Sequence, residues 1–184
     1  MDQKELNDFA SNNKTACLLL FQVGEDYAAA RCCIRHALLA GLSLASQAVE
    51  KTLKAYLFFH DPKYAPKTHG HELIDLAKEV LKHYPHAIDL PSCEDTLAKL
   101  QEHYSARYPD SRPPRYSAST KELAAIDTIM IRLLENLPVP SEFKYRLGPY
   151  ARFFDTPGSD PVGNWFVAKN EAFTDAIRGS RAKS

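Results

Sequence analysis

A histidine and an arginine four positions apart, His103 and Arg107, are the residues best suited to chemistry in this sequence. On a helix this spacing places both side chains on one face. An imidazole that titrates near neutral pH can transfer a proton, and a guanidinium can hold a phosphate. The same two side chains could equally make a surface contact with Asp or Tyr neighbours. Phosphate chemistry and a plain surface contact therefore stay open as alternatives.

A second candidate pair, Arg31 and His36, lies in the run RCCIRH. A separation of five residues turns the two side chains about 140° away from each other on an ideal helix. Because such a pair does not converge on one reacting atom, we place it behind His103 and Arg107 as a catalytic candidate.

Metal and nucleophile patterns are missing from the sequence. His69 and His71 would point about 200° apart on a helix, and no carboxylate partner completes a metal site. There is no Gly-x-Ser-x-Gly elbow, phosphate-binding loop or dinucleotide turn. We expect no metal and no cofactor. The cysteines lack C-x-x-C spacing, so we interpret them as reduced and mostly buried thiols: Cys17, Cys32, Cys33 and Cys93.

Arginine and tyrosine are concentrated in YSARYPDSRPPRY (104–116) and, with lysine and phenylalanine, in KYRLGPYARFF (144–154). Arginine forks hold phosphates and aromatic rings stack on bases, so the mixture suits single-stranded nucleic acid or a nucleotide. Alternatively, these side chains cover the rim of a helical bundle, with their apolar bodies packed and their polar tips in water.

The elements that must position these residues are helical, because five segments carry helical periodicity and none alternates like a strand. The first two are predicted at about 26–40, weakened by Gly41, and 43–59. The outer stripe of the second is expected to be solvated and contains Gln47, Glu50, Lys51 and Lys54. The third carries the apolar stripe of residues 73–84, with Thr68 as its expected N-cap.

The fourth helix is predicted to begin at a Ser92-x-x-Asp95 capping box and to stop before Pro109. The fifth is predicted to open with Ser119-x-x-Glu122 and to end at Leu137, and a short final helix is expected before residue 179. This pattern predicts an all-α, up-and-down bundle of about five helices over residues 20–137. An N-terminal segment (1–19) precedes it, and a partly irregular C-terminal extension (138–184) follows.

The 184-residue chain has a net charge of zero, so binding to a polyanion would need a local basic patch. No run approaches the roughly 18 apolar residues of a membrane span. The polar N-terminal stretch lacks the order of a secretory signal. These observations predict a cytoplasmic protein without a membrane-spanning segment.

Three features together resemble the HEPN domain family (higher eukaryotes and prokaryotes nucleotide-binding). They are the SLASQAVEKTLKAYL helix, the Thr68-His69 opening of THGHELIDLA, and the RYPD run at 107–110. The resemblance covers about residues 26–136. It implies a helical bundle that often dimerises. It also implies a role in RNA cleavage, in nucleotide binding beside a small nucleotidyltransferase, or in defence and toxin–antitoxin systems.

Ribonucleases of this family carry an Arg-x(4–6)-His motif on a late helix. This sequence has no histidine after His103, so that motif is absent and we lean against an enzyme. The leading hypothesis is a module, homodimeric by expectation, that binds a nucleotide or single-stranded RNA without cleaving it. Its expected binding residues are Lys51, Lys54, Arg107 and Tyr108.

Two alternatives stay open. One is a metal-independent endoribonuclease of a toxin–antitoxin pair, using His103 and Arg107 or, less favoured, Arg31 and His36. The other is a protein–protein interaction module in which the aromatic residues of the extension, at 153–154 and 165–166, dock on a partner or on a second copy.

Overall fold

The computed structural model describes residues 2–65, 72–105, 118–140 and 169–175. Those residues form six long helices: α1 (Gln3–Asn12), α2 (Lys14–Arg35), α3 (Ala40–His60), α4 (Leu73–His83), α5 (Leu90–Ser105) and α6 (Thr120–Glu135). Residues 171–175 form a further short helix, and the described part of the chain contains no strand. The prediction of an all-α bundle is confirmed.

Helix α3 occupies the centre of the bundle and packs against α2, α4, α5 and α6. Its alanines, leucines and aromatic residues face inward on most sides, and Leu53, Ala55 and Tyr56 are completely inaccessible. The buried Tyr56 hydroxyl donates a hydrogen bond of 2.6 Å to the carbonyl of Leu133 on α6. This bond satisfies a polar atom that would otherwise be costly to bury, and it ties the central helix to the last long one.

The corner between α2 and α3 differs from the sequence prediction, because α2 ends at Arg35 rather than near Ala40. Ala37 adopts a left-handed conformation with φ of 57°. Its amide donates to the Ile34 carbonyl, and the Leu38 amide donates to the Cys33 carbonyl, each at 2.9 Å. These two bonds form a Schellman motif, which ends a helix even where no glycine is present.

Gly41 has a packing role that the sequence pattern did not reveal. A Cβ at this position would lie 2.6 Å from Ile34 Cγ1 and 2.8 Å from the carbonyl oxygen of Ala30. The first turn of α3 can therefore approach α2 only because this residue lacks a side chain. Gly41 belongs to α3 and lets the α2–α3 hairpin close.

The N-terminal helix α1 is fixed by a capping box between Asp2 and Glu5, whose two bonds measure 2.8 and 2.7 Å. Leu6 is buried in the common core, and the Phe9 ring stacks on Phe59 at 6.0 Å between centroids. Because α2 already begins at Lys14, the predicted boundary between residues 19 and 20 falls inside a continuous helix.

The predicted starts of the later helices had mixed outcomes. At α5 the prediction was wrong: the helix begins at Leu90, and the Ser92 hydroxyl donates to the Asp89 carbonyl at 2.9 Å instead of capping. At α6 it was right, since Ser119 is the N-cap and accepts from the Glu122 amide.

Helix α4 begins at Leu73, after Glu72 as its N-cap. The expected cap, Thr68, lies outside the described residues.

Candidate functional site

A cluster of buried polar side chains joins α2 to α6 and to the C-terminal segment. Arg31 is completely inaccessible and forms an ion pair with Asp127. The Tyr27 hydroxyl donates to Asp127 Oδ1 at 2.5 Å, and Asn170 Nδ2 donates to the Tyr27 oxygen at 3.1 Å. We call these four residues the buried polar cluster. Its charges compensate one another inside the protein, as buried ions must.

Burial dominates the electrostatics of this cluster. It raises the pKa of the Tyr27 phenol well above its usual value, and the Asp127 charge adds to that rise. Burial also raises the pKa of Asp127, while the bonds and charges of Arg31 and Tyr27 oppose the change. The Tyr27 hydroxyl therefore stays protonated at neutral pH and can act as the donor to the carboxylate.

The candidate pair Arg31 and His36 is not brought together. Arg31 points into the bundle toward Asp127, whereas His36 is exposed at the C-cap of α2. The two residues share no surface on which one substrate could contact both. Arg31 connects helices in this structure, and the outcome agrees with the angular separation expected from the sequence.

The two lysines predicted to form a basic stripe on α3 are each paired with a carboxylate. Lys51 Nζ lies 2.6 Å from Asp26 Oδ2 of α2, and Lys54 Nζ lies 2.6 Å from Glu50 Oε1. Glu50 is only 7% exposed. The expectation of a solvated outer stripe is therefore wrong at Glu50, because α3 is covered on that side as well.

Two lysines of different helices instead line one pocket of about 90 Å³ between α5 and α6. We call it the α5–α6 pocket. Lys99 of α5 and Lys121 of α6 line it and are exposed, while His103 forms a buried part of its wall. The remaining lining residues are Leu42, Thr96, Leu100, Glu122, Ala125 and Ile126. A lining that combines apolar side chains with two exposed lysines is a suitable surface for a phosphorylated ligand.

His103 is 6% exposed, and its backbone carbonyl accepts a 3.5 Å bond from the Ser43 hydroxyl of α3. Burial lowers the pKa of the imidazole below its usual value, and the nearby Glu102 carboxylate partly opposes this effect. The ring is therefore neutral at pH 7. A neutral imidazole beside two ammonium groups can accept a proton when negative charge enters the pocket.

Of the residues expected to bind or react, the structure places His103 at this pocket. Arg107 and Tyr108 follow α5 in the sequence but lie outside the described residues. Lys51 and Lys54 do not line the pocket. The sequence analysis singled out neither Lys99 nor Lys121.

A signal for these two lysines was nevertheless available in the sequence. Lys99 precedes His103 by four positions on a helical face, and Lys121 follows the Ser119 cap by two. Neither spacing reveals that α5 and α6 face each other, so the pocket itself could only be seen in three dimensions.

Within the described ranges, no group of three or more His, Cys, Asp or Glu side chains could hold a metal ion. Across the same ranges, no helix is long and apolar enough to cross a membrane.

Comparison with known proteins gives one match. Residues 20–134 match the family model described as HEPN domain, which spans more than half of the chain. Neither the curated proteins nor the solved structures contain a significant match.

Proposed function

The chain belongs to the HEPN domain family, and from this premise we propose that it is a non-catalytic helical module that binds a nucleotide or single-stranded RNA. The observation that supports this proposal best is the α5–α6 pocket, where Lys99, Lys121 and His103 line the same cavity. The proposed contact is to phosphate, with the apolar lining residues available to the sugar or base.

Charge distribution favours this pocket over the lysines of α3. Lys51 and Lys54 each hold a carboxylate at 2.6 Å, so a ligand would have to displace Asp26 or Glu50 before gaining an ammonium group. The two lysines of the pocket extend from separate helices into solvent, with Glu122 as the carboxylate in the lining. That carboxylate accepts a hydrogen bond from the hydroxyl of Ser119, the N-cap residue of α6.

Arg107 and Tyr108 remain proposed ligand contacts. They lie two and three residues beyond Ser105, the last residue of α5, and a guanidinium with a neighbouring ring suits a phosphate and a base. Lys51 and Lys54 remain in the proposal as secondary contacts. The proposal requires no metal and no cofactor.

The test is a binding measurement on the variant Lys99→Gln/Lys121→Gln, with fluorescent oligouridine RNA and ATP as probes. The matched control is Lys78→Gln/Lys82→Gln on the exposed face of α4, which changes the net charge equally. We expect the pocket variant to weaken binding about tenfold or more and to reduce the salt dependence of the affinity, because phosphate contacts release counterions. The control should stay within about twofold. Equal losses in both variants, or no binding by the unaltered protein, would contradict the proposal.

A second candidate function, a metal-independent endoribonuclease, is favoured by one observation: His103 is a neutral imidazole in the wall of the pocket. Such a ring can act as a general base. This function predicts cleavage of single-stranded RNA in EDTA that His103→Gln abolishes. RNA that stays intact after prolonged incubation with concentrated protein would exclude it.

The proposed assembly is a homodimer. Large apolar side chains are exposed on α2, at Leu18 and Phe21, and at the α2–α3 corner, at Leu38 and Leu39. Exposed apolar surface of this kind is typical of an interface. If a second copy covers α2, the variant Leu18→Ser/Phe21→Ser should halve the mass measured by light scattering. An unchanged mass would place the interface elsewhere.

The cellular context remains a proposal as well. A small nucleotidyltransferase partner, a toxin–antitoxin or defence role and a cytoplasmic location are what the family suggests for such a module. Co-purification of the chain with a nucleotidyltransferase encoded beside it would support the first two. A chain that purifies without that protein when both are expressed together would count against them.

The alternative of an interaction module built on the C-terminal extension gains little from the described residues. Asn170 and Phe173 are buried against the chain's own bundle, so this part of the extension completes the core. The aromatic pairs at 153–154 and 165–166 lie outside the described residues.

A further inference from the structure

The α5–α6 pocket combines ionisable groups of two kinds. Lys99 and Lys121 line it and are exposed, whereas His103 lines it and is only 6% exposed. An exposed lysine stays charged at all physiological pH values, but a buried imidazole must lose solvation to carry its charge. His103 is therefore the group in the lining whose charge can respond to a bound anion near neutral pH, because a histidine needs only a modest pKa shift to change its protonation state there.

The groups that face this imidazole can be named helix by helix. Helix α5 contributes Lys99 one turn away and the Glu102 carboxylate next in sequence, and α6 contributes Lys121 and Glu122. Helix α3 contributes the uncharged Leu42 to the lining, and its Ser43 hydroxyl bonds the backbone of His103. In the empty pocket, burial is the main influence on the pKa of His103 and lowers it, and the Glu102 carboxylate partly opposes this effect.

A phosphate group changes this balance. It brings negative charge into the pocket. Its oxygens can also solvate a protonated imidazole that burial keeps from water. Opposite charge within about 4–6 Å stabilises the protonated form of a histidine. The ring would then donate a charge-assisted hydrogen bond to a phosphate oxygen.

We propose that His103 takes up one proton when a phosphate group enters the α5–α6 pocket, so that this site binds phosphate more tightly as the pH falls. This inference rests on the proposed function, because it requires the phosphate to occupy that pocket. The protein would then release its ligand on a rise in pH as well as on a rise in salt.

The direction follows from linkage. The pKa of His103 is lowered in the empty protein, and an anion bound beside the ring would raise it. Between these two pKa values, binding takes up a proton, and the affinity falls by at most about tenfold per pH unit as the pH rises. Above both values the ring stays neutral and the affinity no longer depends on it.

The experiment measures the dissociation constant of fluorescent oligouridine with hydroxyl groups at both ends, from about pH 5 to pH 8 at fixed salt. Terminal phosphates have a second pKa of about 6 and would add their own titration, so the probe contains phosphodiesters alone. We compare the unaltered protein with His103→Gln and, as a matched control, with His86→Gln, an exposed histidine outside the pocket.

We expect the unaltered protein and His86→Gln to bind about five- to tenfold more tightly near pH 5.5 than near pH 7.5. His103→Gln should bind with one weak affinity across the range. Calorimetry of the unaltered protein in two buffers with different ionisation enthalpies should show proton uptake approaching one per bound phosphate site. That measurement needs no variant, and an absence of proton uptake would overturn the inference even if His103→Gln does not fold.

Two failures are distinguishable. Binding that depends on Lys99 and Lys121 but not on pH, or pH dependence that persists in His103→Gln, would overturn this inference and leave the proposed function standing. No oligouridine or nucleotide binding at any pH would remove the proposed function, and this inference with it.

Discussion

Arg31 and His103 are both buried ionisable residues on long helices, yet their surroundings are opposite. Arg31 meets the carboxylate of Asp127 in a closed interior, and every member of that cluster contacts another member. His103 lies in the wall of an open pocket, beside two exposed lysines. A buried charge with its counter-charge at hand serves the fold. A buried titratable group that lines a pocket together with lysines is a candidate for ligand chemistry.

The same contrast separates the two groups of lysines. Lys51 and Lys54 each contact a carboxylate at 2.6 Å, and one of these contacts joins α3 to α2. Lys99 and Lys121 extend from the two sides of the pocket. The first pair is expected to matter mainly for packing and the second mainly for binding. The substitutions below test this division, beginning with the largest expected effect on stability.

Arg31→Leu should cost about 3–5 kcal/mol of unfolding free energy, because it leaves the Asp127 charge buried without its partner. The double variant Arg31→Leu/Asp127→Leu should recover much of that loss, since a hydrophobic pair of similar volume replaces the ion pair. Urea unfolding followed by circular dichroism measures both. Additive losses in the double variant would show that the two residues do not act as a pair.

Asn170→Ala should cost about 1–3 kcal/mol, because it removes the donor to the Tyr27 hydroxyl and the acceptor of the Phe173 amide. Glu171→Gln, at the exposed neighbouring position, is the control and should stay within about 0.5 kcal/mol. Equal stabilities for the two variants would mean that the C-terminal segment does not complete the buried polar cluster in solution.

His103→Gln should flatten the pH dependence of stability. The pKa of His103 is lowered in the folded state, so its contribution to stability is fully present above the unfolded-state value near 6.5. It is lost as the pH falls from there through the folded-state pKa. Unfolding free energies at several pH values from about 5 to 7 should therefore decline less in the variant. A parallel decline in both proteins would assign the titration to other groups.

Lys99→Gln/Lys121→Gln should change the unfolding free energy by no more than about 0.5 kcal/mol, since both side chains are exposed. This smallest expected effect is the most informative for function, because the same variant is expected to lose ligand binding. A loss above about 1 kcal/mol would indicate that these lysines stabilise the fold, as Lys51 and Lys54 are expected to do.

Periodicity was sufficient to predict the helical class and the α6 cap, because these depend on neighbours within one helix. It misplaced the start of α5, where the Ser92 hydroxyl bonds a carbonyl three residues back. The capping-box pattern does not show whether a serine hydroxyl will cap a helix or donate to a preceding carbonyl.

The site was less accessible to sequence reasoning. Glu50 was visible as a helical neighbour of Lys54, but the partner of Lys51 is Asp26 on another helix. Likewise, the counter-ion of Arg31 comes from α6. These pairings depend on which helix faces meet, and that information is spread over the whole chain.

The buried polar cluster also has a consequence for the order of folding. Tyr27 and Asp127 are 100 residues apart, and Tyr27 and Asn170 are 143 apart, whereas α2 and α3 meet across a four-residue corner. Closing long loops costs more chain entropy than closing the hairpin, so the hairpin is expected to form first and the cluster late. Contacts made after the rate-limiting step slow unfolding and leave the folding rate nearly unchanged. The buried polar cluster is therefore expected to slow the unfolding of the complete bundle.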